Sequence, residues 1–555
     1  MTSPKATTAP TPDLAPSSPE APWPGTHYMP RWDLADLSEA PRFHWRKFLG
    51  MLGPSLVMGG AAIGGGEWLA GPAVTAKYGG ALLWVAFVSI LIQVLYNIEI
   101  SRYTLYSGEP IFTGKVRLPP HPLFWLGLYL LLDWGSVAPY LAVNAAIPLE
   151  TIILGKIPDH ATNANHWWMH KFVSTGVYLL TLIPLIFGGK IYNALRSVMT
   201  FKLIVVIGFL MVLSLFFSHP ASWIEIFGGF FRFGTVPVDG PPGENTANVF
   251  TSLFTKGEFP EVDLSLIAVI TGLAAIAGNG GLTNTPISNY TRDQGWGMGS
   301  KVGAIPSVAG GHGITLSHVG CVFPVNSETL PRWKSWYYHV VRDQVFVWLA
   351  ACMIGVALPS ILSVEFLPRG TTATDWDAGA LTAGGVEKQV TSPPPGTLAY
   401  EAGLTPWLSG PTLGRMFWFG TLFCGFLVMI TSNATTMDGF VRRWVDVTWT
   451  ASSRLRELDT SAIGKVYFVV LCGYAACGLT ILWVTEKPGF VFQLSTTGYN
   501  LAFAFSSWHT VFVNSTLLPK PLRPHWLIRV GMVIGGCCFF FMFVMAALKL
   551  AGYIH

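Results

Sequence analysis

Glu67 stands directly after three glycines, Gly64, Gly65 and Gly66, in the run AAIGGGEW at 61–68, inside an otherwise apolar stretch. Each glycine costs about 1 kcal/mol relative to alanine in a helix. The three together therefore weaken a helix at one point by roughly 3 kcal/mol. Unwinding there frees carbonyls at the end of one half-helix and amides at the start of the next. Freed carbonyls coordinate cations, and amide ends favour anionic groups. A carboxylate in mid-bilayer costs about 2.5–3.5 kcal/mol on insertion scales, so Glu67 needs a partner or a task. Two readings stand. Its carboxyl caps the freed amides of its own half-helix, or it contacts a substrate or coupling ion as a metal ligand, and the two can coexist.

A second run, AAIAGNGG at 274–281, repeats the pattern with Ala277, Gly278, Asn279 and Gly280. Paired glycine-interrupted helices at corresponding places in two halves of a chain point to a transporter binding site. Substrate-binding candidates are thus Gly64, Gly65, Gly66, Glu67, Ala277, Gly278, Asn279 and Gly280, with Asp133, Asn284, Tyr499 and Asn500 as polar lining. Close helix packing is the plain alternative for membrane glycines. It accounts for Gly59 and Gly60 better than for a Gly-Gly-Gly-Glu run.

The elements that position these residues are long apolar helices. The chain has 555 residues, 51% hydrophobic and 12% charged, against about 25% charged in soluble domains. Several apolar runs approach or exceed the roughly 20 residues that cross a bilayer, and nothing alternates like a barrel strand. About eleven spans are expected, near 48–78, 80–106, 122–154, 171–188, 195–217, 264–290, 340–363, 411–438, 463–484, 489–515 and 524–553. This is an all-α polytopic membrane protein. Five helices run from one break to just before the other and five more follow, so two such halves would be inverted relative to each other. The expected organisation is a disordered cytoplasmic tail over 1–44, a five-helix repeat over 45–217, and an extracytoplasmic loop over 218–263. A second repeat over 264–517 and an added carboxyl-terminal helix over 518–555 complete it.

Basic residues set the orientation. Arg42, Arg46, Lys47, Arg102, Lys115, Arg117, Lys190, Arg196, Arg292, Lys301, Arg442 and Arg443 fall in alternate loops or at helix ends on one side. The long loops 218–263 and 364–410 are acidic, with Asp239, Glu244, Glu258, Glu261, Asp375, Asp377 and Glu387. That pattern places the amino terminus in the cytoplasm and the chain in a bacterial-type cytoplasmic membrane. The seven cysteines sit in or beside apolar helices, as buried thiols rather than a disulfide framework. The net charge of +4 carries no nucleic-acid signal.

The order of features resembles the Nramp (natural resistance-associated macrophage protein) family of divalent metal transporters, which carry the LeuT-like 5+5 inverted repeat with discontinuous helices 1 and 6. The family has GP and then DPGNW in its first helix; here GPSLVMGGAAIGGGEW begins at Gly53, so Gly53-Pro54 and Trp68 match. Ser101-Arg102 and Ser107-Gly108 stand where the family has A-R and T-G. AGNGGLTNT from Ala277 occupies the register of MPHNLYLHS. The family's metal ligands fall on Gly64, Glu67 and Ala277, so the first carboxylate and the soft thioether are both replaced. What the resemblance then implies is one carboxylate, backbone carbonyls and extra room. Such a site suits a hard, partly hydrated cation such as Mg²⁺ or Mn²⁺. The family's titrating groups are altered too: Asn279 and Asn284 replace histidines, and Asp133, Tyr140 and Val143 stand at the third-helix acid positions. Facilitated or otherwise coupled transport is therefore expected.

Other signals carry less. His160, His166 and His170, and His312, His318 and Cys321, match no zinc spacing and read as packed or solvated loop residues. Asp438, Arg442 and Arg443 read as an interfacial anchor of the eighth span. No metalloprotease motif, nucleophile elbow or phosphate loop occurs, so no enzyme is expected. Two functions remain. One is a secondary transporter moving a divalent cation as substrate, with no resident cofactor; the other is a transporter of the same fold for an organic or other non-metal solute. The expected partners are the small ion or solute and the lipid bilayer, with no nucleic acid.

Overall fold

The computed structural model describes residues 25–42, 53–160, 162–187, 191–305, 316–372, 377–485 and 488–554. Arg46, Lys47, Lys190, His312 and Asp375 lie outside these residues, as do the first 24 positions of the expected tail.

The principal helices are α1 (Pro54–Ala62), α2 (Gly71–Tyr78), α3 (Leu83–Ser107), α4 (Pro122–Leu132), α5 (Tyr140–Leu154), α6 (Ala164–Leu180), α7 (Ile191–Phe217), α8 (Ile267–Ile276), α9 (Pro286–Asp293), α10 (Thr329–Asp343), α11 (Ala350–Phe366), α12 (Pro411–Ala451), α13 (Ile463–Val484), α14 (Pro488–Thr516) and α15 (Trp526–Leu550). Among the described residues nine helical stretches are long and apolar enough to cross a membrane, against the eleven expected. Pro54–Ser107 runs as one such stretch, because the turn at Gly79–Leu82 is itself a tight helical turn. α14 is missing from the nine because Ser495, Thr496, Thr497, Asn500, Ser506 and Ser507 make it polar. These side chains are buried against neighbouring helices rather than exposed to lipid.

The first and sixth spans are both broken. α1 stops at Ala62, Ile63 and Gly64 form a bend, and a π-helical turn over Gly66–Ala70 leads into α2. α8 stops at Ile276, and 277–280 form an extended bend before a 3₁₀ turn at Gly281–Asn284 and then α9. Gly278 adopts φ +98°, a conformation open to glycine and strained for other residues. The expected span at 122–154 is also interrupted, at Asp133 and again at Ala138–Pro139, between α4 and α5. Pro139 cannot donate to the preceding turn.

Three expectations change. Residues 25–42 are packed rather than disordered: Met29, Trp32 and Leu37 are buried. Asp33–Leu34 pairs in parallel with Cys321–Val322, and the Arg117 guanidinium lies 5.3 Å from the Trp32 ring. Aromatic side chains contribute enough buried area to order so short a segment. The cysteines are all free, and Cys472, Cys477, Cys537 and Cys538 are exposed on the helix exteriors rather than buried. Finally, the helix of the eighth span runs on past Arg442 and Arg443. α12 continues for 41 residues, about 60 Å at 1.5 Å per residue. Arg442 and Arg443 are fully buried within it. Arg442 pairs with Asp438 (3.1 Å) and with Asp293 of α9, and Arg292 pairs with Asp446 (2.6 Å). An ionic network thus joins α9 to α12, and Tyr290 and Tyr467 each donate to Asp438 at 2.7 Å.

Candidate functional site

The two breaks face each other, and Glu67 bridges them. Gly64 N–H donates to Glu67 Oε2 (2.9 Å) and Gly278 N–H donates to Glu67 Oε1 (3.0 Å). One carboxylate thereby satisfies an amide from each unwound segment. The acid is fully buried, and hydrogen bonds to an ionised acceptor are about twice as strong as neutral ones. The capping reading of Glu67 is therefore the observed one, extended across to the second break. Glu67 is absent from the cavity wall, and each of its oxygens accepts one amide.

Other side chains complete each break. The Lys202 ammonium on α7 donates to Gly60 O (2.7 Å), Val428 O (3.3 Å) and Ser432 Oγ (2.8 Å). Ser432 Oγ in turn lies 3.0 Å from Ala61 O, to which it donates. At the sixth span, Gln93 of α3 donates from Nε2 to Ala277 O (2.7 Å) and accepts at Oε1 from Asn279 N–H (2.9 Å). It stands in for the turn of helix that the break removes. Asn284 donates to Gln93 Oε1 (3.1 Å) and to Asn279 O. At the start of α1, Asp343 accepts from Gly53 N–H (3.2 Å) and Ser55 N–H (3.1 Å), an acid where the helix dipole favours one.

Between the breaks lies a cavity of about 30 Å³, enough for a water molecule or two. Gly64 and Gly65 from the first break and Gly278, Asn279 and Gly280 from the second form part of its wall. Hydroxyls of Ser432, Thr435 and Thr436 come from α12, and Tyr140 and Tyr499 face one another with ring centroids 6.2 Å apart. No charged side chain lines it. Met58 of the first span does, and its carbonyl accepts from Asn279 Nδ2 at 3.2 Å.

The remaining candidates sit apart. Asp133 is bound to the Arg443 guanidinium (2.6 and 2.8 Å) and to Trp444 Nε1 (3.0 Å). It is a buried ion pair between the α4–α5 turn and α12. Asn500 donates to Thr271 O (3.2 Å) and, like Asn284 and Ala277, is not on the wall. Motif and spacing do not single out Gln93, Lys202, Asp343, Ser432 or Met58. Gln93 and Lys202 are nonetheless visible as polar residues in apolar helices, a signal that membrane physics makes informative.

No protein-family model and no curated protein matches this sequence. Among solved structures the chain is similar to a manganese transporter of Eremococcus coleocola. A crystal structure of that protein with an aromatic bis-isothiourea substituted compound superposes at TM-score 0.55, with 13% identity over 94% of this chain and 92% of that one. A mutant of the same transporter gives 0.56, 13%, 94% and 91%. At such identity the likeness is one of fold, and the fold is the LeuT type.

Proposed function

We propose that this chain is a secondary transporter, Nramp-like in fold and motif order, that moves a small divalent cation by alternating access. Its cargo, a hard ion such as Mg²⁺ or Mn²⁺, sits between the two broken helices. The observation that carries the reading is the small cavity bounded by both breaks and walled by hydroxyl, amide and backbone oxygens. Its size suits an ion or water rather than an organic molecule. Mg²⁺ keeps several of its waters and takes oxygen ligands, which a wall of neutral oxygens can receive. The charge distribution of the loops supports a cytoplasmic amino terminus.

A second reading, transport of a neutral or organic solute, is favoured by one observation. The wall has no carboxylate, because Glu67 is engaged by Gly64 and Gly278. Uptake by purified protein in proteoliposomes separates the two. The first reading expects accumulation of Mg²⁺ or Mn²⁺ above protein-free vesicles, with competition between the two ions. Silence toward Mg²⁺, Mn²⁺ and Ca²⁺ alike transfers the assignment to the second.

A further inference from the structure

Far from the cavity along α5, three side chains from three segments converge. Glu150 lies in the last turns of α5, His160 in the following loop, and His170 two turns into α6. His160 Nε2 is 2.7 Å from Glu150 Oε2 and His170 Nδ1 is 2.9 Å from Glu150 Oε1. The two imidazole centroids are 4.5 Å apart, and one donor atom from each residue lies within 4.8 Å of the others. Spacing alone leaves these histidines as loop residues, because their partner Glu150 belongs to a helix.

The geometry points to a metal-binding site here, a His₂Glu set for a first-row divalent ion, Zn²⁺ before others. Glu150 is fully buried, and among the described residues no lysine or arginine pairs with it; its ion-pair partners are the two imidazoles. With both rings neutral, the cluster is a buried negative charge, which is costly without a cation. Lys171, next to His170 in the chain, donates to Leu482 O at 2.6 Å and to Thr485 O. Two imidazoles and a carboxylate are an established zinc ligand set that leaves a fourth position for water. Ligands about 2.0–2.1 Å from a tetrahedral ion stand about 3.3 Å apart; the two hydrogen-bonded pairs at 2.7 and 2.9 Å open by about half an ångström to reach this, and no two of the three donors are farther apart than 4.8 Å. The arms are braced from behind. His166 Nδ1 accepts from Asp159 N–H (3.0 Å), which fixes the loop beside His160, and Ser174 Oγ lies 3.5 Å from His170 Nε2. Such outer contacts orient ligating imidazoles.

A bound ion ties the end of α5 to α6. α5 also carries Tyr140 of the cavity wall, ten residues or about 15 Å away, so the site is separate from the cargo position. The test uses full-length protein in detergent, freed of any polyhistidine tag and stripped with chelator. It is titrated with Zn²⁺ by calorimetry and with Co²⁺ by visible absorption. Wild type is expected to bind one equivalent, with the intense bands of tetrahedral Co²⁺. His160→Ala and His170→Ala should each weaken binding by more than the roughly 10–100-fold that outer-contact changes cost, His166→Ala by no more than that, while the cavity variant Asn279→Ala retains it. His160 is on a loop, so its loss leaves the fold monodisperse by gel filtration. Absence of an equivalent in wild type, or its survival in both ligand variants, overturns the assignment. So does its loss in Asn279→Ala alone.

Discussion

At the first break the loose carbonyl of Gly60 meets the Lys202 ammonium, and the loose amide of Gly64 meets the Glu67 carboxylate. At the sixth, Ala277 O and Asn279 N–H both turn to one neutral side chain, Gln93, and only Gly278 N–H reaches the shared acid. One segment is therefore held by ions and the other by an amide that mimics backbone. The difference teaches where change is easiest. Charged partners bind strongly but are costly to bury, so the first break depends on its ions remaining dry. The neutral stitch at the sixth tolerates water and rearrangement better.

The comparison breaks most sharply at the acid common to both. Glu67→Ala leaves Gly64 N–H and Gly278 N–H without acceptors, at about 1–3 kcal/mol for each orphaned donor. It should lower the thermal unfolding temperature in detergent more than loss of Gln93 or Lys202 does, and abolish uptake. Gln93→Leu orphans Ala277 O and Asn279 N–H, both partners of a neutral amide, at about 1–3 kcal/mol for each, with Gln93→Glu recovering only the acceptor half. Lys202→Met leaves Gly60 O and Ser432 Oγ without their donor and the buried Glu67 without a nearby cation, and should cost about 1–3 kcal/mol. If unfolding shows Lys202→Met to be silent, the first break is not held by its ions and the two breaks do not differ in the way described.

A smaller effect lies outside the membrane, where Asp263 meets Lys77 Nζ (3.2 Å) and Tyr78 Oη (2.9 Å) just before α8. Partial burial works against its charge, but hydrogen bonds from Ser265, Tyr78 and Lys77 outweigh this and carry its carboxyl from 3.8 down to about 2. A depressed pKa contributes stability above the unfolded value and loses it below. Unfolding temperatures should thus decline modestly as pH falls from about 4 toward 2, and Asp263→Asn should flatten that decline.

Much of this was legible in the residues themselves. Glycine runs and a membrane acid are local signals, and the sixth break lies at 277–280 as its glycines suggest. The first break centres on Ile63 and Gly64, one residue earlier than the glycine run, because Gly66 already belongs to the π turn that carries Glu67. What escaped was whatever depends on distant partners. Gln93 meets a segment 184 residues away, and Lys202 meets one 142 residues away. Glu150 needed the fold to find its histidines. Trp32 in a proline-rich tail was a local sign of packing, outweighed by the composition around it.

The central claim is that cargo occupies the cavity between the breaks. Gly65 offers the most direct test, since a Cβ there would lie 3.0 Å from Tyr140 Cε2 and 3.4 Å from Ile276 Cδ1, inside a space of about 30 Å³. Gly176 has open space around its Cβ position and serves as control. Uptake of Mg²⁺ and Mn²⁺ should collapse in Gly65→Ala proteoliposomes and persist in Gly176→Ala, with both proteins equally monodisperse. Wild-type rates in Gly65→Ala would contradict the account.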